Sequence, residues 1–290
     1  GTLRSDELVG LGMSNGIGYN TQETLNIRLG SGGDTFTIEN THAGATNLHS
    51  NSGADTVHIR TISGATAVDT GIGDDTVNVG TQAGLADFNN DVGTVNQISA
   101  RLTLTGGTGT DTVNVDDTGD TTDNTGTLRS DELVGLGMSN GIGYNTQETV
   151  NVRLGSGSDD FTVESTHAEL TNLYTLGGDD IVLIQSIAGM TSIFGGAGED
   201  EFTADILTSL MTVKYAARDA LNLDGEAATD RYIVNTTGDD DIDYIINVHD
   251  TGDPNDGVDT LTINGTAADD DFLLRKNFVA LLHGSYDDGY

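Results

Sequence analysis

Short runs of alternating polar and apolar residues recur along the chain. The first half contains Thr35–Ile38 (TFTI), Thr56–Ile59 (TVHI), Thr76–Val79 (TVNV) and Thr112–Val115 (TVNV). The second half contains Asp160–Val163 (DFTV), Ile181–Ile184 (IVLI) and Glu201–Ala204 (EFTA). Alternation with many β-branched residues is typical of strands that bury one face. The pattern therefore predicts a chain built from short strands.

Each predicted strand is followed by a plain corner such as Thr41–Gly44 and by a second short strand. These second strands carry Thr46 and Leu48, Thr66 and Val68, and Ala86 and Phe88. Strand, corner, strand and corner together take about 20 residues, which is too short for a strand–helix unit and sufficient for one coil of a narrow solenoid. We therefore predict an all-β fold, a right-handed parallel β-solenoid of the β-roll or β-helix kind with rungs of about 20 residues. Its inward columns would be Phe36, Val57 and Val77 on one wall and Leu48, Val68 and Phe88 on the other.

A larger repeat has a spacing of 125 residues, and residues 1–24 are identical to residues 126–149. The spacing predicts a first solenoid repeat at 1–125, a second at 126–250, and terminal strands at 251–290 that start a further repeat or act as a cap. Residues 1–28 and 126–153 are expected to form one enlarged coil each. Residues 85–105 and 205–224 are expected to be longer coils or excursions, with a helical turn in Leu210–Leu223. Because the array of repeats starts and stops in mid-array, we expect the chain to be a segment of a longer protein.

A glycine–aspartate corner precedes each strand of the first kind. The sequence Gly-x-Gly-x-Asp occurs at 30–34, 71–75, 107–111, 155–159 and 196–200, and Gly-x-Asp occurs at 53–55 and 178–180. Glycines allow a tight corner, and stacking would place the aspartates above one another. Two bare carboxylates about 5 Å apart repel each other by roughly 1 kcal/mol in water and more when partly buried. A cation between rungs would remove that cost, and carboxylate and carbonyl oxygens are the ligands that Ca²⁺ prefers.

These corners resemble the nonapeptide Gly-Gly-x-Gly-x-Asp-x-U-x, where U is a large apolar residue, of the RTX or haemolysin-type calcium-binding family, which forms parallel β-rolls. The closest matches are 106–114 (GGTGTDTVN) and 195–203 (GGAGEDEFT). The resemblance implies several Ca²⁺ ions between successive rungs. The implied ligands are Asp34, Asp55, Asp75, Asp111, Asp159, Asp180 and Asp200 with Gly30, Gly32, Gly53, Gly71, Gly73, Gly107, Gly109, Gly155, Gly157, Gly178, Gly196 and Gly198. Asn51 and Leu176 replace the first glycine at two corners, and only one motif occurs per rung. We therefore expect one calcium-bearing edge and one dry edge.

The amino-acid composition excludes several classes of partner and site. The formal net charge is −35, so nucleic acid is excluded as an expected partner, and no apolar run is long enough for membrane insertion. Zero cysteines exclude disulfides and thiolate sites. Weak calcium sites fill outside the cell, which favours an extracellular or cell-surface location. The leading hypothesis is a calcium-binding structural segment of a large surface, adhesin or matrix protein whose folding is coupled to Ca²⁺.

Other functional classes remain open. Open solenoid ends must be covered by neighbouring repeats or by identical subunits end to end, so a self-assembling extracellular filament protomer is one alternative. A module of a secreted polysaccharide lyase or epimerase is another, with a surface or polysaccharide as ligand. We expect no catalytic activity, because the carboxylates follow the repeat and His42 and His167 recur at equivalent corners, as solvated structural residues do. The turns Asp117–Asp120 and Asp250–Asp253 are expected to be solvated loops.

Overall fold

The computed structural model describes residues 1–85, 92–205, 220–236, 245–267, 269–275 and 278–282. Its strands up to the end of the first sequence repeat are β1 (Thr2–Leu3), β2 (Glu7–Val9), β3 (Ile17–Gly18), β4 (Thr24–Arg28), β5 (Thr35–Ile38), β6 (Ala45–His49), β7 (Thr56–Ile59), β8 (Thr66–Ile72), β9 (Thr76–Val79), β10 (Leu102–Thr108) and β11 (Thr112–Asp116). The following strands are β12 (Thr125–Arg129), β13 (Glu132–Gly135), β14 (Ile142–Asn145), β15 (Thr149–Arg153), β16 (Asp160–Val163), β17 (Leu170–Tyr174), β18 (Ile181–Ile184), β19 (Thr191–Ala197), β20 (Glu201–Ala204), β21 (Ala220–Ala227), β22 (Arg231–Asn235), β23 (Ile245–His249), β24 (Thr260–Asn264), β25 (Asp271–Arg275) and β26 (Phe278–Leu282). The predicted all-β class is therefore confirmed for the described residues.

Two 12-stranded, mostly parallel sheets contain nearly all of these strands. The first sheet has the order β23-β21-β19-β17-β15-β11-β9-β7-β5-β1-β2-β3, and the second has the order β24-β22-β20-β18-β16-β12-β13-β14-β10-β8-β6-β4. From β4 to β11 and from β15 to β24 the chain passes alternately through the second and the first sheet. One pass through each sheet is called a rung below. Strands β25 and β26 form a separate antiparallel hairpin.

The hydrophobic core follows the predicted columns. Val57 is paired with Phe36 on one side and with Val77 on the other in the first sheet, and all three are buried. In the second sheet Leu48 is paired with Val68, and both are buried. Side chains of both sheets form one hydrophobic cluster. Because every second strand residue points into this core, a chain with only 35% hydrophobic residues can still bury a continuous apolar layer.

Two short antiparallel units interrupt the parallel order. Strands β1, β2 and β3 pair antiparallel in the first sheet, and β12, β13 and β14 do so in the second. The expectation that 1–28 and 126–153 form one enlarged coil each is therefore wrong. The positive φ of Gly10 (83°) and of its equivalent Gly135 (89°) allows the chain to reverse at the end of the second strand of each unit.

The two predicted excursions lie only partly within the described residues. Phe88 and most of Leu210–Leu223 lie outside the described residues. The second-sheet strand that follows β8 is β10, where Leu104 pairs with Val68. The inward position assigned to Phe88 next to Val68 therefore belongs to Leu104. The excursion between β9 and β10 includes Val95 and Ile98, which are buried in the core.

Equivalent strands of the two sequence repeats lie in opposite sheets. β5 and β7 belong to the first sheet, but their equivalents β16 and β18 belong to the second. The antiparallel unit and the eight strands β4 to β11 make nine passes between the sheets, which is an odd number. The chain therefore begins its second repeat in the opposite sheet from its first. Corners of identical sequence consequently come out on opposite edges of the sheet pair.

A row of asparagine side chains crosses the boundary between the repeats. On the first sheet, Asn114 Nδ2 donates to Asn78 Oδ1, Asn151 Nδ2 to Asn114 Oδ1, and Asn172 Nδ2 to Asn151 Oδ1, each at 2.8 Å. Such ladders require identical residues in register on adjacent strands. The row shows that the parallel register continues from β9 through β17 without a shift.

Candidate cation site at the glycine–aspartate corners

Aspartates of the first repeat form a hydrogen-bonded series at the corners that lead into the first sheet. The backbone N–H of Asp34 donates to Oδ1 of Asp55 at 2.7 Å, that of Asp55 to Asp75 at 2.7 Å, and that of Asp75 to Asp111 at 2.9 Å. The series ends where the N–H of Asp111 donates to Oε2 of Glu148 at 2.6 Å. We call these five residues the first ladder. From Asp55 onward, each carboxylate thus accepts a hydrogen bond from the backbone of the preceding rung.

A second ladder lies at the corners that lead into the second sheet. Here the N–H of Asn124 donates to Oδ1 of Asp159 at 2.8 Å, and that of Asp159 to Asp180 at 2.7 Å. The series continues from Asp180 to Asp200 at 2.9 Å, from Asp200 to Asp230 at 3.0 Å, and from Asp230 to Asp259 at 3.0 Å. Since corners into the second sheet lie at the other end of the strands, aspartates occur on both edges, and the edge opposite the expected calcium-bearing edge is not free of carboxylates. Each edge carries aspartates along a different part of the chain.

The inner aspartates of both ladders are buried and only half satisfied. Asp55, Asp111, Asp180 and Asp200 are each 1% exposed. Their Oδ1 atoms accept the ladder hydrogen bonds, but their Oδ2 atoms are buried without a hydrogen-bond partner among the described residues, as are those of Asp75 and Asp230. A buried carboxylate oxygen without a partner is costly unless a proton or a cation neutralises it. Each unpartnered Oδ2 is therefore a position at which a proton or a cation would stabilise the folded chain.

The pKa values of the ladder aspartates also indicate that their negative charge is unfavourable in the folded chain. Burial, followed by the charge of neighbouring carboxylates, raises the pKa of Asp111, Asp159, Asp180 and Asp230 to about 6. The same causes raise the pKa of Asp200, which lies between Asp180 and Asp230, to about 8. Desolvation disfavours the charged form, and like charges reinforce that effect. Near pH 7 and without a cation, Asp200 therefore favours the protonated acid, whereas the four groups with a pKa of about 6 favour it only below pH 6.

The second glycine of the motifs at 71–75, 107–111 and 196–200 is required by the close stacking of rungs. Gly73 has a φ of 143°, and a Cβ built on it would lie 1.8 Å from the carbonyl oxygen of Gly53. Gly198 has a φ of 139°, and its Cβ would lie 1.8 Å from the carbonyl oxygen of Gly178. At both positions a side chain is excluded by the backbone of the neighbouring rung and by the backbone conformation.

The substitution Gly198→Ala should therefore destabilise the protein by more than about 3 kcal/mol, because backbone strain and a backbone clash add. Gly12→Ala is the matched control, since Gly12 also has positive φ (76°) but has nothing within 4 Å of a built Cβ. The control should lose only about 1 kcal/mol from left-handed strain. Urea unfolding followed by circular dichroism measures both. Equal losses would show that rung stacking does not constrain the corner.

The remaining predicted glycines also lie at the ladder corners. Gly30, Gly32, Gly53, Gly71, Gly107 and Gly109 lie at first-ladder corners, and Gly155, Gly157, Gly178 and Gly196 lie at second-ladder corners. Gly30, Gly32, Gly155 and Gly157 do not take positive φ, whereas Gly71, Gly107 and Gly196 do. Asn51 and Leu176, which replace the first glycine of the motif, have φ values of 73° and 75°. The corner conformation is thus kept even where the glycine is missing.

Sequence reasoning missed three acidic ladder residues. Asp230 follows Gly225 at the interval that separates Asp200 from Gly195, and Asp259 precedes the alternating strand Thr260–Asn264. Both signals are present in the sequence, but neither corner has the Gly-x-Gly-x-Asp form. Glu148, which ends the first ladder, carries no such signal.

The turn Asp117–Asp120 is not the solvated loop that the sequence suggested. Asp117 is 1% exposed, and its Oδ1 accepts the backbone N–H of Val95 at 2.9 Å. Asp120 is 6% exposed and accepts hydrogen bonds from Asn96 and Thr122. Burial raises the pKa of Asp117 to about 7. Although burial acts to raise it as well, hydrogen bonds lower the pKa of Asp120 to about 2. This turn anchors the excursion that lies between β9 and β10.

The recurring histidines are partly buried, not fully solvated as the sequence suggested. Nδ1 of His42 lies 3.4 Å from the hydroxyl of Thr46, and Nδ1 of His167 lies 3.1 Å from that of Thr171. Both Nε2 atoms are buried without a hydrogen-bond partner in the described part of the chain. Burial lowers the pKa of His167. Each histidine ring packs edge-on against a tyrosine, which is a structural role.

The oxygen atoms at the ladder corners are of the type that binds a hard cation. The side chains alone, however, do not provide a complete set of ligands. Carboxylate oxygens and corner carbonyls are the ligand type that Ca²⁺ takes, and the unpartnered Oδ2 atoms supply the negative charge. Across the described ranges, no group of three or more His, Asp or Glu side chains is arranged to hold a metal ion. Any cation there must take its other ligands from the backbone or from water.

No family model matches the chain, and no curated protein matches it. In the part of the chain that the structure describes, no helix has the length and apolar character needed to cross a membrane.

Proposed function

We propose that the chain is a structural segment of a large extracellular repeat protein, stabilised by Ca²⁺ bound along its two ladders. In this proposal the two sheets close into a right-handed parallel β-solenoid of the β-roll type. The supporting observation is the repeated buried carboxylate whose Oδ2 has no partner in the described residues, at a corner that is rich in carbonyls. The chain would be exported unfolded and would fold on meeting millimolar Ca²⁺.

Calcium should act on the aspartates through differential binding to the folded state. An ion that binds only the folded chain stabilises it by about 2.7 kcal/mol per site at a hundredfold excess over its dissociation constant. Six unpartnered ladder oxygens on two edges therefore offer a large combined effect. Magnesium should act more weakly, because it demands a strict octahedron that flexible corner carbonyls do not provide. A structural role also accounts for why the carboxylates follow the repeat rather than a local cluster.

Thermal unfolding in chelator and in about 5 mM Ca²⁺ tests the proposal, since extracellular sites of this kind have dissociation constants of about 0.1–1 mM. The unfolding midpoint, followed by circular dichroism, should rise strongly with Ca²⁺ and much less with Mg²⁺. An identical midpoint in chelator and in Ca²⁺ would contradict the proposal.

The variant Asp200→Asn assigns the effect to the ladder. Asparagine keeps the oxygen that accepts the N–H of Asp180 but removes the buried charge. The variant should be more stable than wild type in chelator at pH 7 and should gain less from Ca²⁺. Asp160→Asn is the control, because Asp160 is exposed and the change removes the same charge. An equal loss of calcium response in both variants would mean that Ca²⁺ acts on the overall charge instead.

A further inference from the structure

The residue five positions before the ladder aspartate is of three kinds at the corners from Asp34 to Asp230. It is leucine before Asp34 and Asp159, and it is glycine before Asp111, Asp200 and Asp230. It carries a hydroxyl group before the other three, as Ser50, Thr70 and Thr175 before Asp55, Asp75 and Asp180. We call these the leucine, glycine and hydroxyl corners. The surroundings of the aspartate Oδ2 follow the same division.

At the leucine corners a backbone N–H lies close to the second carboxylate oxygen. The N–H of Gly30 donates to Oδ2 of Asp34 at 3.3 Å. At the other leucine corner, burial raises the pKa of Asp159, and a hydrogen bond from the backbone of Gly155 acts against that rise. Neither of these two Oδ2 atoms is buried without a hydrogen-bond partner. A carboxylate that has such a donor does not need an ion at the same oxygen.

At the hydroxyl corners a side-chain hydroxyl lies within reach of the carboxylate. Thr70 Oγ1 donates to a carbonyl oxygen of the next rung at 2.9 Å, and Thr175 Oγ1 does so at 2.8 Å. Burial raises the pKa of Asp75 and of Asp180, but hydrogen bonds from Thr70 and Thr175 act to lower it. A hydroxyl can rotate its proton from one acceptor to another. These two corners therefore contain a donor that can serve Oδ2.

At the glycine corner before Asp200, the carboxylate and a backbone carbonyl converge. A Cβ built on Gly195 would lie 2.2 Å from Oδ2 of Asp200 and 2.8 Å from the carbonyl oxygen of Gly225 in the next rung. Both oxygens are acceptors, and Oδ2 has no hydrogen-bond partner among the described residues. Two buried acceptors that face each other are unfavourable unless a proton or a cation lies between them. Since Ca²⁺ binds carboxylate and carbonyl oxygens, this corner offers two ligands to one ion.

The other two glycine corners share this arrangement in whole or in part. A Cβ built on Gly106 would lie 2.6 Å from Oδ2 of Asp111 and 2.5 Å from the carbonyl oxygen of Thr146 in the next rung. The backbone N–H that follows Gly106 donates to the hydroxyl of Thr146 at 2.8 Å and not to the carboxylate. A Cβ built on Gly225 would lie 1.9 Å from Oδ2 of Asp230. At all three corners a side chain would collide with the carboxylate oxygen.

We propose that the residue five positions before the aspartate decides which corners bind Ca²⁺, and that only the glycine corners do. This inference rests on the proposed function and narrows it from six unpartnered ladder oxygens to the three at Asp111, Asp200 and Asp230. Each ion binds Oδ2 of the aspartate and takes further oxygen ligands from the backbone and from water. At the hydroxyl corners the side chain occupies the space beside Oδ2 and supplies a donor, so no ion binds there.

This assignment differs from the one that the Gly-x-Gly-x-Asp motif implies. The corner at Asp75 has the motif but also has Thr70, whereas the corner at Asp230 lacks the motif but has Gly225. Asp75 is 2% exposed and Asp230 is 1% exposed, and each accepts a backbone hydrogen bond through Oδ1. Asp230→Asn should bind one Ca²⁺ ion fewer than wild type, whereas Asp75→Asn should bind the same number. Equilibrium dialysis against buffered Ca²⁺ counts the ions.

Exchange of the deciding residue tests the proposal without changing a carboxylate. Thr175→Gly converts a hydroxyl corner into a glycine corner and should bind one ion more than wild type. Thr175→Ala is the matched control, because it removes the same hydroxyl but keeps a Cβ in the space, and it should bind the wild-type number. Gly195→Ser makes the reverse change at a glycine without positive φ and should bind one ion fewer. A gain in Thr175→Gly cannot result from a loss of folding.

The outcomes separate this proposal from the calcium proposal. A wild type that binds Ca²⁺ in the same number as Thr175→Gly and Gly195→Ser would overturn the corner assignment and leave the calcium proposal intact. A wild type that binds no Ca²⁺ would overturn both. Loss of an ion from Asp75→Asn but not from Asp230→Asn would show that the motif decides instead. Circular dichroism in Ca²⁺ verifies that each variant is folded when its ions are counted.

Discussion

Ile142→Ala should lower the free energy of unfolding by about 2–5 kcal/mol, whereas Ile17→Ala should lower it by less than about 1 kcal/mol. The two isoleucines have identical neighbours in sequence for many residues on either side. Ile142 lies between Leu102 of β10 and Leu133 of β13 and is fully buried. Ile17 pairs with Leu8 on one side only and is 54% exposed. Removing a buried side chain costs transfer free energy and leaves a cavity, whereas an exposed side chain loses little.

Urea unfolding followed by circular dichroism measures this difference. The comparison controls for local propensity, because each variant makes the same change in the same sequence. If Ile17→Ala were as destabilising as Ile142→Ala, the first copy of the repeat would be covered in the monomer as well.

The metal-free protein should become more stable as the pH is lowered from 8 to 5, opposite to ordinary acid denaturation. Burial raises the pKa of Asp200 to about 8 and that of Asp111, Asp159, Asp180 and Asp230 to about 6. A group whose folded pKa lies above its unfolded pKa contributes its stability below the unfolded value and loses it as the pH rises through the folded value. Two pKa units correspond to about 3 kcal/mol for one such group. Coupling between neighbouring aspartates makes the total smaller than the sum.

Other titratable groups narrow the pH range of this stabilisation but do not reverse its direction. Burial lowers the pKa of His58 and His167. These two side chains therefore lower the stability of the folded protein as the pH falls below the ordinary histidine pKa. The pKa of Asp120 is lowered to about 2, which destabilises the fold only at still lower pH. The raised aspartates are more numerous than the two histidines, so their effect should dominate between pH 5 and pH 8.

Thermal midpoints measured in chelator and in Ca²⁺ across this pH range provide the test. In chelator the midpoint should fall with rising pH, and in Ca²⁺ the curve should be nearly flat, because the ion replaces the proton. Asp200→Asn should flatten the chelator curve between pH 6 and pH 8. A chelator curve that rises with pH would show that the ladder carboxylates are stabilised as anions by the fold itself.

Much of the local structure could be predicted from individual residues. The alternation in Thr56–Ile59 and Thr76–Val79 places Val57 and Val77 in one buried column, and the structure pairs them. The corners at Asp75 and Asp200 were recognisable because glycine at positive φ has a sequence signature. Asp230 was missed because Glu226 and Ala228 take positive φ where glycines stand in the other corners. Non-glycine residues in that conformation have no clear signal in a single sequence.

Excursions and antiparallel units were harder to predict. Leu104, rather than a residue in the loop after β9, continues the column of Val68, because the chain leaves the sheet after β9 and returns at β10. Likewise the stretch Glu7–Val9 shows a strand pattern but gives no information about strand direction. Direction depends on where the chain turns back and which edge is free to pair.

The sequence alone determined the strand pattern, the 125-residue repeat and the aspartates at the Gly-x-Gly-x-Asp and Gly-x-Asp corners, because these depend on local chemistry and short periods. Only the tertiary structure decided which edge each aspartate occupies. Nine passes between two sheets form an odd number, so the second repeat starts in the opposite sheet and its corners lie on the opposite edge. The tertiary structure also decided that Ile17 is exposed while the identical position Ile142 is buried. Burial depends on the neighbouring rung, and that neighbour lies far away along the chain.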